Sequence, residues 1–195
     1  MSRIDRRLDL KGAQTALNGI VGVGLNPADI ISSIQTGEIA WTGTLTSTDT
    51  ISSVDTARSV VIFQGCRSGS STADIGEIFA RVDLTNATTV TATSGVAPTG
   101  TNTLKYMVVE FATAAIKSVQ TGTIVATGSS ATDTISSVAT GKTLVFYQGC
   151  ELTTGLTDLR DGLASVTLTN ATTVTGNRQT TAGTITIGYS ALEFV

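Results

Sequence analysis

Apolar and polar residues follow one another along most of this chain in short bursts. Ile78, Ala80, Val82 and Leu84 alternate with Phe79, Arg81, Asp83 and Thr85, the period-two pattern of a strand with one wetter face. Val60-Val61-Ile62-Phe63 is instead a continuous apolar run, which predicts a strand buried on both faces. The same reasoning places strands near 35–46, 48–54, 59–65, 78–85, 88–94 and 102–111. Short strands at roughly 8–12-residue spacing, separated by polar turns, predict a small sandwich or a jelly-roll-like barrel. The pattern leaves the choice between those two open.

The pattern then repeats. Ile31-Ser32-Ser33-Ile34-Gln35-Thr36-Gly37 returns as Ile116-Lys117-Ser118-Val119-Gln120-Thr121-Gly122, and Thr48-Asp49-Thr50-Ile51-Ser52-Ser53-Val54 as Thr132-Asp133-Thr134-Ile135-Ser136-Ser137-Val138. Phe63-Gln64-Gly65-Cys66 returns as Tyr147-Gln148-Gly149-Cys150, and the eight residues from Leu84 to Thr91 return unchanged from Leu168 to Thr175. The offset is 85 residues from Ile31 to Ile116, 84 from Thr48 to Thr132, and 83 from Glu110 to Glu193. Each change of one residue falls in a polar stretch that a loop absorbs. A period this long is a whole small domain, well beyond a solenoid repeat. The second copy keeps the alternation at Ala164, Val166 and Leu168 and the apolar run at Leu144-Val145-Phe146-Tyr147. Ile185, Ile187, Tyr189 and Ala191 line one face of its last strand. The expected organisation is an N-terminal arm (1–30) and two similar all-β domains, 31–113 and 114–195.

Composition agrees. Threonine and serine exceed a quarter of the 195 residues, and charged residues are only 14%. Abundant Thr, Val and Ile suit pleated, half-buried strands, while low charge with 41% hydrophobic residues excludes a disordered chain. A net charge of −3 with no basic run in either repeat gives phosphates no counterion-releasing stripe, so no nucleic acid partner is expected. Gly19 to Leu25 is too short and glycine-rich to span a bilayer, so no membrane partner is expected either. The opening residues carry charges without an adjoining apolar core or cleavage site, which predicts a soluble protein made in a cytoplasm.

The arm matches neither repeat. Ile4, Leu8, Ala13 and Leu17 lie loosely on one helical face that Gly19 would stop, and Asn26-Pro27 marks a break. Two readings stand: a short terminal helix on its own domain, or an arm that docks on a neighbouring subunit with Arg3, Arg6, Arg7 and Lys11 as its candidate contacts.

Candidates for chemistry are few. Histidine is absent, which removes the usual general base and the commonest metal ligand. The recurring carboxylates are Asp49/Asp133, Asp74/Asp158 and Glu110/Glu193, read as turn and strand-end charges rather than a hydrolytic pair. Arg58 and its counterpart Lys142 are expected in solvent. Asn86-Ala87-Thr88 and Asn170-Ala171-Thr172 match a glycosylation acceptor, but Asn and Thr between two strands are ordinary hairpin-turn residues. No phosphate loop, nucleophile elbow or metal-spaced cluster appears, so no catalytic residue, cofactor or metal is expected.

Cys66 and Cys150 end the same strand in both repeats. They are read either as free, mostly buried thiols or as an inter-subunit disulfide locking a head-to-tail ring, with an intrachain bond as a third reading. Trp41 has no aromatic counterpart (Val125 or Ala126 falls there) and is either a half-buried sandwich residue or an interface aromatic.

The phrases 116–122, 132–138 and Leu168 to Val174, with the ending Leu192-Glu193-Phe194, are similar to small threonine-rich β proteins encoded among the virion structural genes of tailed bacteriophages. In that group a chain often opens with an Ile-Lys-Ser-Ile-Gln phrase and closes on Glu-Phe. The resemblance covers both repeats but not the arm, and the duplication and matched cysteines depart from the single-unit form. It implies a virion component (head decoration, collar or tail) without catalytic residues, which clamps or decorates a symmetric assembly. Its partners would be copies of itself, with three chains making a ring of six similar units, and other virion proteins such as capsid or neck subunits. The alternative is a receptor- or glycan-binding module of a tail fibre or collar whisker.

Overall fold

The computed structural model describes residues 30–69, 74–152 and 158–195; the arm and its four cations lie outside them. The fold is all-β. The first repeat runs β1 (Ile31–Trp41), β2 (Thr46–Thr50), β3 (Ser59–Ser68), β4 (Ala80–Asn86), β5 (Thr89–Ser94) and β6 (Asn102–Phe111). The second runs β7 (Ile116–Ala126), β8 (Ser130–Thr134), β9 (Thr143–Leu152), β10 (Ala164–Asn170), β11 (Thr173–Arg178) and β12 (Ile185–Phe194). Each repeat forms two antiparallel three-stranded ladders in the same order, β1-β6-β3 and β2-β5-β4, then β7-β12-β9 and β8-β11-β10. The two ladders of a repeat face each other across a core. In the first it contains Ile39, Trp41, Val61, Val82, Val90, Leu104 and Tyr106; in the second, Ile124, Cys150, Val174, Ile185, Ile187 and Tyr189.

The strands differ from the sequence reading at particular points. The first is expected to run to residue 46 but ends at Trp41, where Gly43 takes φ 68 and donates its N–H to the Pro98 carbonyl. The second is expected over 48–54 but leaves its ladder after Thr50. Beyond it, the Ile51 and Val54 amides donate to the Thr88 and Ala87 carbonyls of the β4–β5 hairpin instead. Bonding to a turn satisfies these amides without extending a strand. Val60 and Val61 are buried as their run predicts, whereas the second-repeat run opens with Leu144 exposed. The reason lies in how the repeats meet: the second repeat packs on Val60, while Leu144 lies outside that shared cluster.

The recurring phrases encode ties between strands. Ser33, Gln35 and Gly37 are two apart and share one side of β1. Ser33 donates to Glu110, and the Gln35 amide exchanges two hydrogen bonds with the Ser52 backbone (2.7 and 2.9 Å). Gly37 stands opposite Tyr106, whose hydroxyl passes over it to donate to Asp49 at 2.7 Å. The second repeat reproduces each tie: Ser118 to Glu193, Gln120 to Ser136, and Tyr189 over Gly122 to Asp133 at 2.7 Å. A side chain on Gly37 would run into the Tyr106 hydroxyl. Asn86 and Asn170 turn their hairpins, each accepting from the amide two residues on, at 2.9 Å.

Each Tyr–Asp bond joins the two ladders of one repeat and involves a carboxylate, so its loss costs about 1.5–3 kcal/mol. Tyr106→Phe is expected to lower the unfolding free energy by that amount, and Gly37→Ala by at least as much. Denaturant midpoints unchanged in both variants would show that the tie carries no stability.

Candidate functional site at the junction between the repeats

The two repeats are not beads on a string. Edge strand β4 of the first meets edge strand β9 of the second, with Arg81 opposite Gly149, and this bridge merges β2-β5-β4 and β9-β12-β7 into one six-stranded sheet. The approach is close because glycines line it. Gly149 takes φ 86, and a Cβ there would collide with the Ala80 carbonyl. A Cβ on Gly162 would collide with the Phe79 ring, and one on Gly95 with the Leu152 carbonyl. Ile75, Ile78 and Phe79 of the first repeat thereby join the second repeat's core. Behind the bridge, the outer faces of β1-β6-β3 and β7-β12-β9 share a further cluster of Val60, Val109, Phe111, Ile116 and Leu192, with Phe111 and Phe194 edge to face at 6.0 Å.

Across the junction the first repeat presents β3, β4 and the 3₁₀ turns Thr56–Arg58 and Ile75–Glu77, and the second presents β7, β9, β12 and the 3₁₀ turn Leu159–Gly162. Polar groups set the register. Arg81 is ion-paired with Asp83 and, at 3.5 Å, with Glu151. Burial is the larger influence on Asp83 and raises its pKa despite that guanidinium. The buried Gln148 donates to the Val61 carbonyl across the junction (3.3 Å) and to Ser190 (2.7 Å). It borders a cavity of about 510 Å³ between the repeats, also lined by Thr56, Ser59, Asn86, Val119 and Thr121.

Both cysteines face a second cavity at this junction, about 330 Å³, whose lining is five equivalent pairs: Phe63/Tyr147, Cys66/Cys150, Ile78/Gly162, Phe79/Leu163 and Ala80/Ala164. The two thiols are free, not disulfide-bonded. Cys66 donates to the Ile78 carbonyl at 2.6 Å and Cys150 to the Gly162 carbonyl at 3.2 Å. Burial pushes each thiol up to about 11, so both are protonated and unreactive at neutral pH. Cys150 has no exposed surface, so a disulfide from it to another chain would require the junction to open.

The other candidates take structural places. Trp41 is buried in the first core with its indole N–H unpartnered, away from any surface. Arg58 is not in solvent as its turn position suggests. It pairs with Asp55 (3.1 Å) and Glu110 (2.8 Å) and donates to the Phe111 carbonyl, while Lys142 is exposed as expected. Glu110 also accepts from the Asp55 amide. Its counterpart Glu193 is held below the usual carboxylate range by the Ala139 amide and then by Lys117. Asp74 and Asp158 cap 3₁₀ turns. Among the described residues no cluster of His, Cys, Asp and Glu fits a metal ion. Sequence reasoning missed Arg81, Gln148 and the glycines; the recurrence of Gly65 as Gly149 was the available signal, since a glycine kept at a strand position marks a bulge or a close backbone approach.

No protein-family model, curated protein or solved structure matches this chain. The arrangement is built for adhesion of one β unit to another.

The thiols give a pH signature. In the unfolded chain they release protons near the ordinary value of about 8.5, but in the folded chain only near 11. Below the lower value their contribution to stability is complete; between the two, unfolding releases protons, so stability falls as pH rises. Thermal midpoints are expected to drop from about pH 9 to 11, with a shallower drop in a Cys66→Ala/Cys150→Ala variant. At pH 7.5 a thiol reagent should modify Cys150 only on unfolding; rapid modification in the native protein would contradict this burial.

Proposed function

We propose that this chain is a non-enzymatic structural protein of a tailed-phage virion, which decorates or clamps a symmetric assembly such as the capsid or the neck and collar. The observation that carries the reading is the duplicated β unit, one repeat's edge joined to the other's. A chain built this way offers two near-equal faces at a fixed spacing, which suits it to bridging neighbouring subunits of a shell or ring. A protein that binds the assembled state alone stabilises that state by mass action. The recurring carboxylates support the reading, since each is occupied as a cap or strand tie. The glycan-binding alternative loses its sequence candidate, because Trp41 lies inside the core.

The reading is tested on purified particles of the phage or prophage whose genes flank this one, by protein mass spectrometry and antibody labelling in the electron microscope. The chain is expected in a regular array on heads or necks, and particles stripped of it should open at a lower temperature until it is added back. Its absence from purified particles would overturn the assignment.

A further inference from the structure

The thiol-lined cavity at the junction, about 330 Å³ in volume, takes its wall from both repeats in equal measure. Phe63 of β3 and Tyr147 of β9, both in that wall, meet edge to face with ring centroids 6.1 Å apart. Ile78 and Phe79 enter it just before β4, and Leu163 and Ala164 at the start of β10. Leu163 is 51% exposed and carries the wall out to solvent. Among the described residues no charged side chain lines the cavity.

The few polar groups of the wall are already paired. Cys66 donates to the Ile78 carbonyl and Cys150 to the Gly162 carbonyl. The Tyr147 hydroxyl lies within hydrogen-bonding reach of the Cys150 sulfur. The amides of Ile78, Phe79 and Leu163 donate to carbonyls of their own 3₁₀ turns. A buried water needs about two to four polar partners, and these are taken. Water in this space forgoes hydrogen bonds that an apolar molecule does not need, so its displacement by hydrocarbon is favourable.

Size and lining narrow the occupant. An apolar cavity of roughly 150 Å³ stays dry and takes up benzene; this one has about twice that room. Pockets that hold small molecules begin at about 300 Å³ and are lined mainly by apolar and aromatic side chains. Three of the ten lining residues are aromatic, Phe63, Phe79 and Tyr147. Such rings favour edge-to-face or offset contact with another ring.

We propose that this cavity binds an uncharged aromatic molecule of one ring or two fused rings, held between the repeats by Phe63, Phe79, Tyr147, Ile78 and Leu163. The thiols, paired with backbone carbonyls, pack against the ligand as small apolar groups and form no bond to it. Because each repeat supplies half of the wall, an occupied cavity fastens one repeat to the other. Binding to the folded junction alone stabilises it by mass action. The site goes beyond the assembly role and does not depend on it; ligand binding with no chain in particles, or the reverse, would separate the two.

The test follows the methyl groups of the full chain by NMR during titration with toluene and then naphthalene, with imidazole as a polar ring for comparison. The methyls of Ala80, Ala164, Ile78 and Leu163 are expected to shift saturably with the two hydrocarbons. The melting temperature should rise by about 5–10 °C at about a hundredfold excess of ligand over its dissociation constant. Ala164→Leu extends a side chain into the cavity and should weaken binding roughly tenfold or more. The titration of the unaltered chain decides the matter even where that variant folds poorly. The absence of saturable shifts at the four lining residues would overturn the proposal. So would shifts centred on the exposed Ile34 and Leu144, an equal response to imidazole, or undiminished binding by a folded Ala164→Leu chain.

Discussion

A three-stranded ladder has two edges, and every edge displays backbone groups that seek partners. The structure depends on how one such edge is covered: β9 receives β4, and Gly149, Gly162 and Gly95 let the backbones approach within side-chain-free distance. From that contact follow the six-stranded sheet, the entry of Ile75 and Phe79 into the second core, and the burial of Val60, Gln148 and Cys150. Two units of this size each hold a modest core; sharing apolar surface across the junction enlarges both.

Within each unit the economy is polar as well as apolar. A tyrosine hydroxyl crossing a glycine to reach an aspartate, a glutamine clasping a loop backbone, and a glutamate gathering amides and a cation all recur at equivalent places. Each satisfies groups that the short ladders leave open, which the abundance of serine and threonine also serves. The charged residues that sequence reading assigns to turns, strand ends or solvent are employed as ties, Arg58 most plainly. A guanidinium that reaches a carboxylate and a strand-end carbonyl together is worth more to the fold than one in water.

Much of the fold was legible. The period-two alternation from Ile78 to Leu84 and the faces of β12 appear where the pattern puts them, since alternation reflects a local geometry that one strand expresses alone. The end of β1 and the extent of β2 were not legible, because Gly43 and the amides of Ile51 and Val54 bond to residues on other elements. The candidate site was legible only through matched cysteines and glycines. Their recurrence marked the place, while the identity of the strand lying against them did not follow from it.

The sequence by itself determined an all-β chain, a unit written twice, and the polar ties that each unit makes internally, because these depend on spacings that both copies preserve. Tertiary structure decided which copy of each matched surface is covered. Val60 and Leu144 sit in the same apolar run, and Gln64 and Gln148 in the same phrase, yet one of each pair is buried and the other faces solvent. Pattern cannot separate them, since the distinction arises from a contact between distant strands. The junction covers one member of such a pair and leaves its counterpart exposed, and that asymmetry exists only in the packed molecule.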